Sequence, residues 1–268
     1  MTADPAVADP PADEAELLDV ALEAARAAAA ELLPRFGQRQ AGVRAKSSPT
    51  DLVSEADVSA ETAIRAVLAV RRPADAVLGE EGGATGDGVL RWVIDPLDGT
   101  TNFLFGVPQW AVSVACEDGV GGLVGVVLDP VRDECFTATR TGPPRLGGEE
   151  IAASGADELA TALVATGFAY AADVRARQAQ VLTRVLPRVR DIRRAGAAAL
   201  DLAWLACGRL DAYWERGVKA WDVAAGGLIA QRAGLVVEPL TADEDGPGGV
   251  LAAPVALLGE LRALVLGS

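Results

Sequence analysis

Apolar residues first recur at helical spacing. Leu17, Val20, Ala21, Ala24 and Ala28 form one face of a helix that starts with D-x-x-E at Asp13 and ends between Pro34 and Gly37. A second helix over 54–71 carries Val58, Ile64, Val67 and Leu68 and stops at Pro73. Short β-rich runs follow at 76–79, 89–94, 110–117, 122–129 and 134–139, punctuated by Gly or Asp-Pro. They predict a largely antiparallel sheet covered by the two helices. Beyond it, strands at 162–166, 190–193, 211–215 and 235–238 alternate with helices at about 172–187, 197–207, 222–233 and 254–266. That alternation predicts a second sheet with helices on its faces. Residues 1–12 lack an apolar period and read as a flexible tail, while 13–268 read as one unit with lobes of about 13–145 and 146–268. No internal repeat or long linker interrupts it.

At 268 residues the chain is long enough to bury a large core. Its many alanines favour packed helices over low-complexity disorder. No apolar run reaches bilayer length, and the N-terminus lacks a basic region followed by an apolar one, so a cytoplasmic protein is expected. Cys116, Cys135 and Cys207 are far apart and odd in number, and read as buried small residues rather than a disulfide framework or zinc site. The chain has no histidine, which excludes a Ser-His-Asp triad, His-ligated zinc and a phosphohistidine. Acid, base and ligand roles then fall on carboxylates, hydroxyls and lysine. A formal charge of −14 disfavours direct nucleic-acid binding over a broad surface, and an anionic substrate would need local cations.

Candidate chemistry concentrates in residues 92–103, W-V-I-D-P-L-D-G-T-T-N-F. Val93 and Ile94 supply a buried strand, Asp95 and Asp98 emerge at its end, and Gly99-Thr100-Thr101 turns into a short helix. Carboxylates at a strand end suit octahedral Mg²⁺, and N–H groups at a helix start suit phosphate. A D-P-x-D-G turn with a capping Asp fits this stretch equally well. Taken alone, Glu80-Glu81 fits a solvated acidic turn, and Asp222 fits a carboxylate favoured by a helix dipole.

Read together, K-S-S-P-T-D-L-V-S-E-A-D (46–57), G-E-E (79–81), the 92–103 segment and W-D-V-A-A-G-G (221–227) resemble, in order and spacing, the four signatures of the inositol monophosphatase family of Mg²⁺-dependent sugar phosphatases. The resemblance runs from about residue 14 to the end. It implies a layered αβαβα sandwich, a homodimer, two or three Mg²⁺ ions and sensitivity to Li⁺. By residue, it implies metal ligation by Glu80, Asp95, the Leu97 carbonyl, Asp98 and Asp222, with Thr100 among the central matches. Lys46 and Asp57 match positions near the metals, Asp57 orienting the Thr100 hydroxyl, and Glu81 stands beside the ligands. Catalytic roles then fall to Glu80, Asp57 and Thr100, which orient and deprotonate an attacking water. Gly99 and Thr100 would hold phosphate, while Gly196, Ala197 and Ala198 approach the polyol and Glu215 accepts hydrogen bonds from its hydroxyls. Arg193 or Arg194 is a candidate phosphate or dimer contact, and each also fits an exposed arginine.

The chain departs from common family patterns at Phe105 and Gln109, where basic or histidine residues are frequent, and at 141–148, T-G-P-P-R-L-G-G, which lacks the usual glycine-asparagine hairpin. Two residues separate Asp95 from Asp98, which argues against the D-x-D-x-T nucleophile of haloacid dehalogenase-type phosphatases. Within the resembled fold, inositol monophosphate is the expected substrate. Histidinol phosphate, fructose 1,6-bisphosphate and 3′-phosphoadenosine 5′-phosphate are the alternatives. A reading of another class is a protein-binding regulator associated with the transcription machinery, whose acidic surface would meet a basic partner.

Overall fold

The computed structural model describes residues 13–38, 42–45, 52–243 and 246–267. The tail expected at 1–12 and the candidate Lys46 lie outside them.

Helix α1 (Glu14–Leu32) is capped by Asp13, whose carboxylate accepts from the N–H groups of Ala15 and Glu16. A two-stranded ribbon, β1 (Arg44–Ala45) and β2 (Leu52–Val53), leads to α2 (Glu55–Arg71). Then come β3 (Ala76–Gly79), β4 (Gly83–Thr85), β5 (Arg91–Asp98) and the short α3 (Thr100–Leu104). The first sheet is completed by β6 (Ala111–Glu117), β7 (Gly122–Asp129), β8 (Glu134–Thr139), β9 (Arg145–Leu146) and β10 (Glu149–Glu150). Its order is β10-β9-β8-β7-β6-β5-β3-β4, antiparallel except where β3 runs beside β5. The second half contains β11 (Leu163–Thr166), α4 (Ala172–Val185), β12 (Asp191–Arg193), α5 (Ala198–Ala206), β13 (Ala212–Arg216), α6 (Ala220–Arg232), β14 (Val236–Leu240), β15 (Gly249–Ala253) and α7 (Val255–Leu266). These strands form a second sheet in the order β12-β11-β13-β15-β14.

Side-chain size sorts the layers. On β6, Val112, Val114 and Cys116 face α1 and α2, while Ala111 and Ala115 face α5 and α6. On β7, Val124 and Val126 pack toward α1, whereas Gly125 leaves a surface so close to α6 that a Cβ would lie 2.9 Å from the Ala225 carbonyl oxygen. Helix α5 is apolar on nearly every side because it is covered on both faces, by the first sheet through Ala199, Leu200 and Ala203 and by the second through Leu202 and Leu205. Helices α4 and α7 cover the outer face of the second sheet, where Val181, Val185, Leu257 and Leu261 pack on Val164, Ala212 and Trp214. The five layers are αβαβα, as expected.

Several details differ from the sequence reading. Strand β15 shows no polar alternation, because its Val250, Leu251, Ala252 and Ala253 are all buried, and it was missed. Val58 is 41% exposed on α2, and the buried face instead uses Ala56, Ala60, Ile64 and Leu68. Of the cysteines, Cys116 is buried, while Cys135 and Cys207 are half-buried. A hairpin does form between β9 and β10, with Gly147 at φ 58° and Gly148 at φ 91° supplying the two positive-φ positions of a tight turn. Among the described residues, no helix is long and apolar enough to cross a membrane.

Gly226 sits where α6 meets α5, and a Cβ there would be 2.8 Å from the Leu202 Cβ and 3.0 Å from the Ala199 oxygen. Gly226→Val is expected to cost about 3 kcal/mol by overpacking, read as a lower urea midpoint. An unchanged midpoint would show that the two helices separate freely.

Candidate active site

The local geometry begins with a defect in β5. Asp95 pairs with Ser113 and Asp98 with Ala111, so β5 carries one residue more than its partner between them. In a regular strand, residues three apart point to opposite faces. The bulge at Pro96-Leu97 cancels that offset, and both aspartates reach one cavity. Gly99 then turns the chain with φ 93°, where a Cβ would lie 2.9 Å from the Gln109 carbonyl oxygen, and α3 begins.

Each aspartate has its own restraint. Asp95 Oδ1 accepts from Leu97 N–H at 2.9 Å. Asp98 accepts from the N–H groups of Ala198 at 3.1 Å and Ala199 at 2.8 Å, so it sits on the first turn of α5. Asp222 lies in the first turn of α6 and accepts from Lys219 N–H at 2.6 Å. Ser113 Oγ donates to the Trp221 carbonyl, joining β6 to the start of α6.

Asp57 lies behind Thr100. Its Oδ2 accepts from Ser54 N–H at 2.8 Å and Ser54 Oγ at 2.7 Å, and its Oδ1 accepts from Thr100 Oγ1 at 3.0 Å. Leu97 O is a second acceptor for the same Thr100 proton, at 3.1 Å. Glu80 follows β3 at the cavity wall. Its loop is held by Glu61 of α2, which accepts from the N–H groups of Glu81 at 2.7 Å and Gly82 at 2.8 Å and ion-pairs with Arg65. Arg65 in turn donates to Gly83 O and Thr85 Oγ1. A Cβ at Gly79 or at Gly82 would fall 2.6 Å from Glu61 Oε1, so glycine on both sides of Glu80-Glu81 lets the loop lie over that carboxylate.

One cavity of about 480 Å³ is lined by Glu80, Asp95, Leu97, Asp98, Gly99, Thr100, Gly196, Ala198, Glu215 and Asp222. The fold therefore brings together residues from the loop after β3 and from β5, α3, α5, β13 and α6. Ala197 does not reach the wall: it is 1% exposed and packs with Ala111 and Ala199 in the core. Ala198 lines the wall, but its N–H is committed to Asp98. Glu81 lies outside the lining, with its N–H turned to Glu61. Asn102, unremarked in the sequence, donates to the carbonyls of Gln109 and Ala195 and ties α3 to the 193–196 segment. Gln109 is buried against Arg132, whereas Phe105 is 76% exposed.

Burial pushes the carboxyls of Asp95 and Asp98 well above the usual range, and the nearby charges of Glu80, Asp98 and Asp222 add to the shift at Asp95. Burial likewise raises Asp222 to about 6. Glu215 is raised by burial and partly relieved by the Tyr213 hydroxyl, which donates to Oε2 at 2.8 Å, and by the charge of Arg194. Among the described residues no three acids already close on a single point, so this is an open acidic cavity and not a finished cage. Its donors are all oxygen, the set preferred by hard divalent cations, and a cation would relieve the crowding of negative charge.

A profile of the inositol monophosphatase family matches residues 13–262. The inositol-1-monophosphatase SuhB of Mycobacterium tuberculosis is 44% identical over 242 residues, covering 86% of this chain and 83% of the relative. A protein of Pseudomonas aeruginosa named Nus factor SuhB is also 44% identical, over 85% of this chain and 87% of its own. Among solved structures, SuhB of Bartonella henselae superposes with a TM-score of 0.85 at 36% identity, covering 95% of this chain and all of that one. M. tuberculosis SuhB superposes at 0.80 with 38% identity, covering 95% and 97%.

Because their folded pKa values lie above the unfolded ones, Asp95, Asp98 and Asp222 oppose folding increasingly as pH rises from the ordinary carboxylate range through their raised values, which for Asp222 is about 6. Asp95→Asn keeps an acceptor for Leu97 N–H. In EDTA it is expected to melt higher than the parent by a margin that grows through this window, with a divalent cation removing the advantage. A calorimetric difference flat with pH would contradict this. In a second test, Glu61→Ala is expected to speed amide hydrogen exchange over residues 79–85, and unchanged protection would mean that Glu61 does not hold the loop.

Proposed function

The chain belongs to the inositol monophosphatase family, and from that membership joined to the acidic cavity we propose that it is a Mg²⁺-dependent phosphomonoesterase that hydrolyses inositol monophosphate by direct attack of water, working as a cytoplasmic homodimer. The observation that carries this reading is the convergence of Glu80, Asp95, Leu97, Asp98 and Asp222 on one cavity that also exposes Gly99, Thr100 and Glu215.

In this reading, Glu80, Asp95, the Leu97 carbonyl, Asp98 and Asp222 hold two or three ions. Bound Mg²⁺ supplies Lewis acidity and lowers the pKa of a water. The chain's own groups do the rest. Asp57, held by Ser54, and the Leu97 carbonyl both accept from the Thr100 hydroxyl, so its proton points toward them and the Thr100 oxygen is left to accept from an incoming water. Glu80 stands across the cavity to orient that water and take its proton. The N–H groups of Gly99 and Thr100 hold the phosphoryl oxygens. Glu215, kept in place by Tyr213, accepts from the polyol hydroxyls. Gly167 makes room for it, since a Cβ there would overlap the Glu215 carboxylate at 2.0 Å.

A second reading, a protein-binding regulator of transcription, is favoured by the equally similar relative named a Nus factor. Capture of a basic protein partner that persists in Asp98→Asn would separate it from catalysis.

The test is phosphate release from myo-inositol 1-phosphate with and without Mg²⁺, beside histidinol phosphate, fructose 1,6-bisphosphate and 3′-phosphoadenosine 5′-phosphate. Preference for the inositol ester is expected, with inhibition by millimolar-scale Li⁺. Asp98→Asn is expected to lose more than the roughly 10–100-fold typical of groups that only orient ligands. No Mg²⁺-dependent turnover of any ester would overturn the reading.

A further inference from the structure

Glu215 and Arg216 are neighbours on β13, so their side chains leave the strand on opposite faces. Glu215 enters the acidic cavity, and Arg216 passes to the outer face on which Trp214 packs. There the Arg216 side chain is 1% exposed. Its Nη1 donates to the carbonyls of Thr241 and Pro247, each at 3.1 Å, and its Nη2 pairs with Asp243 Oδ2 at 2.5 Å. Among the described residues its buried Nε has no hydrogen-bond partner. Burying a guanidinium is costly, and a well-packed apolar side chain of similar volume is often no less stabilising. What the guanidinium supplies is geometry, because its rigid fork holds oxygens that follow β14 and one that precedes β15.

The backbone of the same residue holds a second segment. The Arg216 carbonyl accepts from Gln178 Nε2 of α4 at 3.5 Å, and Gln178 Oε1 accepts from Ala169 N–H at 2.9 Å. Both arms end over Gly217, which has φ 93° and donates its N–H to the Gly248 carbonyl at 2.8 Å. A Cβ on Gly217 would lie 3.7 Å from Pro247 Cγ and 4.0 Å from Ala169 Cβ. Ala169, Val174, Gly217 and Pro247 all line the acidic cavity on the side of Glu215. One buried residue therefore gathers three wall segments beside the carboxylate assigned to the polyol.

We propose that Arg216 is a positioning residue that fixes the alcohol-side wall of the cavity, so that discrimination between a ring polyol and a smaller alcohol depends on a guanidinium buried behind that wall. The proposal rests on the phosphatase reading and deepens it. Arg216 acts through Pro247, Ala169 and the Gly217 turn that follows Glu215, while the acids and the N–H groups assigned to metal and phosphate are held by other contacts.

The experiment measures kcat and KM for myo-inositol 1-phosphate and for glycerol 2-phosphate, whose three-carbon alcohol is much smaller than the ring, in the parent, Arg216→Met, Arg216→Lys and Asp243→Ala, with the urea midpoint of each. Arg216→Met is expected to lower the inositol-to-glycerol ratio of kcat/KM by about tenfold, chiefly through KM for the inositol ester. Arg216→Lys is expected to fall between, since it keeps the charge and loses the fork. Asp243→Ala removes an exposed arm of the clamp and is expected to shift the ratio in the same direction by less, and with Arg216→Lys it decides the matter if Arg216→Met does not fold. An unchanged ratio, or an equal loss on both esters, overturns the positioning role while leaving the phosphatase reading intact. A lower urea midpoint with the ratio unchanged assigns Arg216 to stability alone and also overturns it. Failure of the parent to turn over either ester with Mg²⁺ overturns the phosphatase reading itself.

Discussion

Asp98 accepts hydrogen bonds from the first-turn N–H groups of Ala198 and Ala199, and through them a carboxylate of the first sheet is seated on the helix of the central layer. Two unsatisfied helix donors and the positive end of the helix dipole meet a buried negative charge, which offsets part of its desolvation. The contact joins residues one hundred positions apart in sequence. It also makes the cavity possible, because it anchors β5 beside α5 while the Pro96-Leu97 bulge turns Asp95 toward the same space. Small residues on the inner faces of β6 and β7 allow the close approach that this contact needs.

Around that junction the site is restrained from outside the cavity. Ser54 and Asp57 hold the Thr100 hydroxyl from α2, Glu61 and Arg65 hold the Glu80 loop from the same helix, and Asn102 ties α3 to the strand-to-helix turn before α5. Helix α2 therefore secures two walls of the cavity while burying its apolar face against α1. Rigid placement of this kind is what allows like charges to stay together. Left to themselves, crowded carboxylates would spread or take up protons.

Electrostatics divide two neighbouring cavities. The acidic cavity gathers acids whose protonation is favoured by burial and mutual repulsion, and the cavity beside it is lined by Arg194 and Arg175. At Asp95, burial and neighbouring negative charge oppose ionisation, so the acidic cavity is built from unfavourable charge.

Much of this was legible in the chain. The periods that mark α1, α2 and the strands of the first sheet follow from which faces must be buried, and the D-P-L-D-G-T segment, G-E-E and W-D-V-A-A-G-G carry the acids that line the cavity. Strand β15 was not legible, because a strand buried on both faces loses its alternation. Glu61 and Arg65 stand at the i, i+4 spacing of an ordinary helical ion pair, and only the folded loop shows that they hold its backbone. The removal of Ala197 from the wall and the commitment of Ala198 to Asp98 depend on how α5 enters the central layer. Local sequence determined the residue types and the elements, since these follow from periodicity, turns and caps. Which side chains share a cavity, and which are spent on holding others, was decided by tertiary structure alone, because those contacts join segments whose separation along the chain carries no signal of their distance in space.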